Sequence, residues 1–173
     1  MRRIIVISVI AIFLLAISYF VFGIVKKTKE RGLIEAKISR LPSFSFTTLQ
    51  DTSFNSQIIK EGPVLIVRFH PECEHCQYEI SELFRSKIPE SGVKVLLISG
   101  ADKDMVINFL GQFNISQRES VTTLLDTAFI FNEIFGADIV PSNYIYNRDL
   151  ELVKVLNGEY KIETILKYLG KSE

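Results

Sequence analysis

The chain lacks several features that mark common classes of protein function. It carries no net charge at neutral pH, because 20 basic residues balance 20 acidic ones in 173 residues. A nucleic-acid-binding surface needs a basic excess, so nucleic acid is excluded as a partner. The sequence also lacks the two common glycine-rich phosphate loops. Repeats and low-complexity segments are absent, which leaves one compact domain with an appendage as the expected organisation.

Cysteine and histidine are also scarce, yet all four of these residues lie together. The chain has two cysteines, two histidines and no tryptophan. Both pairs fall in the segment HPECEHC, which begins at His70 and ends at Cys76. No other cysteine of the chain is available to pair with Cys73 or Cys76. This segment is therefore the first candidate for a functional site.

A long uncharged run is present only near the N-terminus, from Ile4 to Val25. At 1.5 Å per residue, a helix of this length spans roughly 33 Å, which is enough to cross a bilayer core. The run is longer than the apolar part of a cleaved signal peptide. We therefore predict an uncleaved membrane anchor over residues 1–25, followed by a charged tether or short helix over 26–40. Basic residues flank the run on both sides, so the charges alone do not decide its orientation.

From residue 41 to residue 173 the pattern predicts a single α/β domain. Strands are indicated by alternating or continuous apolar runs, and helices by apolar residues at helical spacing. The predicted strands are the hairpin FSFTTL and TSFNS, then 63–69, 93–99, 121–126, SNYIYN and ELVKVLNG. The predicted helices follow the cysteines and cover 102–113, 128–135 and 160–169. Such alternation predicts a sheet that is parallel at the crossovers and antiparallel at the last pair.

The two cysteines fall where a buried strand passes into a helix. Pro71 interrupts both elements, so Cys73 is expected at or near the helix N-terminus. Unpaired backbone N–H groups and the helix dipole favour an anion there, which suits an attacking thiolate. Cys76 lies three residues further on, one turn deeper, where it can resolve a mixed disulfide. The pattern therefore indicates a dithiol that exchanges electrons with other thiols.

These motifs resemble the thioredoxin fold, and more closely the membrane-anchored TlpA/ResA-like thiol-disulfide oxidoreductases. The segments that carry the likeness are FSFTTLQDTSFN, GPVLIVRF, CEHCQYE and FGADIVPSNYIYN, in the family's order. The resemblance implies a three-layer sandwich with a mixed central sheet, preceded by one transmembrane helix. It implies a bacterial inner-membrane protein whose domain faces the periplasm or the outside. The implied partners are cysteine-containing protein substrates and a thiol-disulfide electron donor, with no cofactor.

The resemblance also assigns roles to single residues. Glu79 matches a carboxylate that the family keeps near its cysteines, and it would take the proton of Cys76 or oppose its thiolate charge. Val140 and Pro141 match the family's cis-proline loop, which would hold an extended partner chain.

The pair between the cysteines is Glu74-His75. A histidine next to the second cysteine resembles the more oxidising members of the superfamily. The anchor and Glu79 resemble the reducing ones, so the direction of electron flow stays open.

The sequence departs from thioredoxin in two places and leaves three alternatives. Glu72 stands where thioredoxins usually have tryptophan, and Val67 where thioredoxin has a buried aspartate. One alternative is a thiol peroxidase with Cys73 as the nucleophile, although the threonine partner it would need is missing. Another is zinc or copper binding through ligands close in sequence, namely His70, Cys73, His75 and Cys76. A third is a non-catalytic module that binds partners near Pro141.

Overall fold

The structure is a computed structural model that describes residues 2–113, 118–136 and 139–170. The chain divides into two compact units, Met1–Ala36 and Lys37–Glu173. The first unit consists of most of helix α1, which extends from Arg2 to Ile38. Among the described residues, no helix is both long and apolar enough to cross a membrane. The predicted anchor over residues 1–25 is therefore not confirmed.

The second unit is built on one mixed sheet of seven strands among the described residues. The strands lie in the order β2-β1-β5-β4-β3-β6-β7. Neighbours are parallel for β3 with β4 and for β4 with β5, and antiparallel elsewhere. The strands are β1 (Ser45–Thr48), β2 (Ser53–Asn55), β3 (Val64–Phe69), β4 (Lys94–Ser99), β5 (Val121–Leu125), β6 (Ser142–Tyr146) and β7 (Leu152–Asn157). The predicted thioredoxin-like sandwich with a mixed sheet is confirmed at this level.

Within the described residues, four further helices connect or follow the strands. They are α2 (Glu74–Arg85), α3 (Lys103–Leu110), α4 (Phe131–Phe135) and α5 (Ile162–Leu169). Short 3₁₀ turns occupy Ser56–Ile58, Ile88–Glu90 and Gly111–Phe113. Helix α2 follows the central strand β3 directly, which brings the cysteines to the carboxyl end of that strand.

Strand β3 is central because nearly all of its side chains are buried. Val64, Leu65, Ile66, Val67 and Phe69 are at most 1 % exposed. Successive residues of a strand point to opposite faces, so the strand contributes to two cores. Leu65, Val67 and Phe69 pack in the core that also includes residues of α2, α3 and α5.

The opposite face of the sheet carries an aromatic cluster. Its rings lie 4.5–6.5 Å apart in stacked, tilted and edge-on pairs, a geometry that adds attraction beyond apolar burial. The members of this aromatic cluster are Phe44, Phe46, Phe131, Phe135 and Tyr144. Arg68 of β3 lies over the Phe131 ring, 4.9 Å from its centroid.

Three helices differ in length from the sequence prediction. Helix α4 begins at Phe131 instead of residue 128, because Phe129 has a left-handed backbone with φ of 55°. Helix α5 begins at Ile162 instead of Tyr160, whose N–H is bonded outside the helix. Helix α3 ends at Leu110 and tightens into a 3₁₀ turn.

The segment predicted as a charged tether or short helix is helical as far as Ile38. Ile38 itself is 2 % exposed and belongs to the second unit. Beyond it, Ser39 and Leu41 exchange backbone hydrogen bonds with Leu152 and Leu150. The compact domain therefore includes a few residues before the predicted start at residue 41.

Candidate active site

The connection between β3 and α2 places the first cysteine at the helix start, as the sequence predicts. Cys73 is the N-cap of α2 and has an extended backbone, with φ −81° and ψ 112°. Its N–H donates to the carbonyl of His70 at 3.1 Å, which closes a turn around Pro71. The Nδ1 atom of His70 accepts from the N–H of Glu72 at 3.2 Å. The turn is thus held by its own polar groups, and it leaves the Cys73 side chain at the edge of the core, partly exposed.

The two sulfur atoms have different environments. Cys73 is half-buried, whereas Cys76 is completely buried. The N–H of Cys76 donates to Sγ of Cys73 at 3.3 Å, so the first sulfur caps the helix. Burial raises the pKa of Cys76, and its hydrogen bond with Cys73 and the charge of Glu79 raise it further. The site therefore joins an accessible sulfur to a buried thiol that holds its proton.

Glu79 is buried next to this pair instead of being a solvated surface residue. Its side chain lies in the second turn of α2 and is 2 % exposed. Its Oε1 accepts from Nδ2 of Asn143 and its Oε2 from the N–H of Tyr160, both at 2.8 Å. Burial raises the pKa of the Glu79 carboxyl, the two hydrogen bonds oppose that rise, and the charge of Glu159 adds to it.

Asn143 is a site residue that the sequence did not reveal. It is fully buried on β6 and lies opposite Val67 of β3. Its Nδ2 reaches Glu79, while its Oδ1 has no hydrogen-bond partner within the described part of the chain. The one sequence signal is its position two residues after Pro141, but the contact joins residues 64 positions apart.

The cis-proline loop faces the first cysteine. The Val140–Pro141 peptide bond is cis, and the sulfur of Cys73 lies 3.8 Å from the carbonyl oxygen of Val140. The predicted loop therefore lies beside Cys73, and Val140 makes the contact. An open groove of about 460 Å³ runs along this side, lined by Arg68, Phe69, His70, Glu72, Cys73, Gly100, Phe129 and Val140. Phe129 is 68 % exposed, so the groove has an accessible apolar wall.

The two residues between the cysteines are both exposed, and one of them has a distant partner. Glu74 lies in the first turn of α2. The Nδ1 atom of His75 lies 2.6 Å from Oε2 of Glu159, a residue 84 positions later in the chain. Glu159 lies two residues after the end of β7 and was not identified from the sequence, because nothing local marks its contact.

The geometry bears on the metal and peroxidase alternatives. No group of three or more potential metal ligands occurs within residues 2–113, 118–136 and 139–170. The Nδ1 atoms of His70 and His75 instead contact Glu72 and Glu159. For a peroxidase, Arg68 does line the groove with Cys73, but it pairs with Asp126 at 3.5 Å, and none of the described residues that line the groove is a threonine.

The chain resembles known proteins at low sequence identity. No family model matches it. The thiol-disulfide oxidoreductase ResA of Bacillus thuringiensis is 22% identical over 148 residues, which cover 83% of this chain and 82% of that relative. The structure of dsbF from Mycobacterium tuberculosis has a TM-score of 0.67 at 18% identity, covering 80% of this chain and 98% of that one.

A second solved structure is that of a secreted Mycobacterium tuberculosis disulfide oxidoreductase described as homologous to E. coli DsbE. Its TM-score is 0.65 at 17% identity, and the match covers 79% of this chain and 98% of that one. At these identities the solved structures establish the fold alone. The likeness to TlpA/ResA-like proteins and the oxidoreductase class of enzyme are supported by the ResA relatives.

Proposed function

We propose that this chain is a membrane-tethered thiol-disulfide oxidoreductase of the TlpA/ResA-like type that exchanges its Cys73–Cys76 dithiol with disulfides of partner proteins. The observation that carries the proposal is the pairing of unlike sulfurs. Cys73 is accessible at a helix N-terminus, while Cys76 is buried one turn deeper and bonded to it through its N–H. Such a pair separates the attacking sulfur from the resolving one.

Reduction of a partner proceeds in two displacements. The thiolate of Cys73 attacks one sulfur of the partner's disulfide, which breaks that bond and releases the partner's other sulfur as a thiolate. Cys76 then gives up its proton and attacks Sγ of Cys73. This forms the Cys73–Cys76 disulfide and releases the partner's second thiolate. Two electrons pass from the dithiol to the partner, and the released thiolates take up two protons. Oxidation of a partner is the reverse sequence.

Glu79 is proposed as the group that accepts the proton of Cys76. Burial raises the pKa of the Glu79 carboxyl, so this group is a stronger proton acceptor than an exposed glutamate, and it is close enough for its charge to act on Cys76. The Oδ1 atom of Asn143, which has no partner among the described residues, is a possible hydrogen-bond acceptor for the protonated Glu79 carboxyl. If the Asn143 amide turns over, Oδ1 accepts a hydrogen bond from a protonated Glu79 in place of the bond that Nδ2 now donates.

The cis-proline loop is proposed as the holding surface for the partner. Pro141 is buried and Val140 presents its carbonyl oxygen toward Cys73. An extended chain at this loop places its own cysteine against the exposed side of Sγ. The open groove next to it leaves room for the flanking residues of the partner.

The membrane tether is proposed from the N-terminal helix. Large apolar side chains of α1 are exposed in this structure, including Phe13, Leu15, Tyr19, Phe20 and Phe22. Exposed apolar side chains around a helix are suited to lipid, and the uncharged run from residue 4 to residue 25 has the required length. We place the domain outside the cytoplasm, supported by the basic tip before the run.

A reporter that is active only outside the cytoplasm tests this placement. Fused after residue 173, it should be active. A silent reporter, together with activity of a cytoplasmic reporter at the same position, would reverse the orientation.

The order of the two cysteines is tested by trapping. Cys76→Ser should accumulate mixed disulfides with partner proteins through Cys73, because the resolving thiol is gone. Cys73→Ser should accumulate few, because Cys76 is buried. Non-reducing electrophoresis followed by mass spectrometry measures both. Equal trapping by the two variants contradicts the assigned roles.

A further inference from the structure

We propose that Glu159 is a positioning residue of the redox site. Its carboxylate offsets the charge of His75 and so makes the Cys73–Cys76 couple more reducing. This inference rests on the proposed function and addresses the direction of electron flow.

The geometry starts with the connection between β7 and α5. Two consecutive residues of this connection contact α2. The carboxylate of Glu159 binds Nδ1 of His75 at 2.6 Å, and the N–H of Tyr160 donates to Glu79 at 2.8 Å. The connection therefore reaches both the residue between the cysteines and the buried carboxylate behind them. Because these contacts join positions more than 80 residues apart, they are properties of the fold and not of the motif.

The contact has an electrostatic consequence. A protonated histidine beside a cysteine stabilises the thiolate, and a stabilised reduced form makes a dithiol couple more oxidising. His75 adjoins Cys76 in the chain and lies in the first turn of α2, whose N-terminal end is Cys73. The negative charge of Glu159, in contact with the ring, offsets the positive charge that His75 would present to the sulfurs. The histidine is thus prevented from shifting the couple in the oxidising direction.

A second interaction of Glu159 acts in the same sense. The Glu159 carboxylate is close enough to Glu79 for its negative charge to add to the rise in the pKa of that carboxyl, and the same charge repels a thiolate at the neighbouring sulfurs. The other charged residues of the motif, Glu72 and Glu74, are exposed. Both effects of Glu159 disfavour a thiolate at the site.

The experiment measures the equilibrium constant of the couple with glutathione in the full-length chain. Glu159→Gln should shift that constant roughly two- to fivefold toward the oxidising side, the range expected for a partly exposed ion pair. His75→Gln should shift it in the opposite direction, because Glu159 then remains without its partner. In the double variant the effect of Glu159→Gln should be less than half of its effect alone. Glu163→Gln is the matched control, since Glu163 is exposed in the first turn of α5.

Three outcomes distinguish the proposals. If Cys73 and Cys76 form no reversible disulfide in the unaltered chain, the proposed function itself fails. If the couple is reversible but Glu159→Gln matches the Glu163→Gln control, the function stands and the inference about Glu159 is wrong. If Glu159→Gln disturbs the fold, the His75→Gln variant decides, and a shift to the oxidising side in that variant overturns the inference.

Discussion

Glu79 shows how a charged residue is accommodated at the centre of the candidate site. Each of its oxygens accepts one hydrogen bond, from Asn143 and from the backbone of Tyr160. Two donors are fewer than a carboxylate accepts in water, so the buried charge remains costly. This cost is the reason that the carboxyl retains a proton more readily than an exposed glutamate does.

Glu79→Gln should make folding less sensitive to pH. In the unaltered chain burial holds the pKa of Glu79 above its ordinary value of 4.5, so the folded state keeps a proton that the unfolded state has lost. Stability therefore falls as pH rises from about 4.5 through the folded-state pKa. Glutamine cannot lose a proton, and that fall should disappear. Urea unfolding between pH 4 and pH 8 measures the difference.

The same variant should lower the pKa of Cys76 and slow the reduction of a disulfide substrate, by about a hundredfold or more if proton transfer is lost. Its fold should persist, because a turned Asn143 amide can accept from the new Nε2. Glu82→Gln is the control, since Glu82 lies one turn on and pairs with Arg85 at the surface. If both variants titrate and react alike, Glu79 has no role in exchange.

The sequence predicted those site residues that are close together in the chain. Cys73, Cys76 and Glu79 lie within seven positions, so helical periodicity alone places them near one another. Asn143 and Glu159 could not be found in this way, because tertiary packing of β6 and of the β7–α5 connection sets their contacts. A rule based on spacing contains no information about such contacts.

At the level of elements, Asp126 determines where helix α4 begins. Its two carboxylate oxygens accept from the N–H groups of Ile130 and Phe131 at 2.9 and 3.2 Å. The same carboxylate lies 3.5 Å from the guanidinium of Arg68, whose side chain is 13% exposed. One residue thus caps a helix and balances a charge that is nearly buried.

Asp126→Ala should destabilise the fold by about 3 kcal/mol, because it leaves the Arg68 charge without its partner and removes the cap. Chemical denaturation measures this loss. Asp149→Ala, at an exposed position, should change stability by less than about 0.5 kcal/mol. In an Arg68→Met background the loss from Asp126→Ala should be smaller, and equal losses in both backgrounds would show that the ion pair is unimportant.

The start of the helix that Asp126 caps could not be predicted from hydrophobic periodicity. The sequence from 128 to 135 has helical spacing, yet only Phe131–Phe135 is helical. The competing interaction is the side chain of Asp126, which takes the first N–H groups and sets the turn before the helix. Propensity and periodicity do not register such a cap when it precedes the helix by several residues.

On the scale of the whole molecule, the strand content and the mixed sheet followed from the sequence, but the boundary of the domain did not. Continuous apolar runs identified β3 and β4 because strands buried on both faces have that pattern. The start of the domain was placed at residue 41, whereas Ile38 is already in the core. A charged segment hides this residue, because Ile38 is preceded there by only two other large apolar residues, Leu33 and Ile34.

A fragment that begins at Lys37 should therefore be more stable than one that begins at Pro42. The longer fragment keeps the burial of Ile38 and the backbone bonds of Ser39 and Leu41. We expect a difference in the free energy of unfolding of at least about 2 kcal/mol, the scale of one buried isoleucine. Urea titration of the two fragments measures it. Equal stabilities would place these residues outside the cooperative unit.

The sulfur of Cys73 is the reacting atom of the proposed exchange and also the acceptor that caps the N-terminus of helix α2. Each covalent bond formed at this atom therefore changes the first turn of a helix. A partner attached through Cys73 competes with the N–H of Cys76 for the space around one sulfur. Formation of the mixed disulfide is therefore coupled to fraying of the first turn of α2. The order of the first turn of α2 is thus expected to differ between the free dithiol, the mixed disulfide with a partner and the Cys73–Cys76 disulfide.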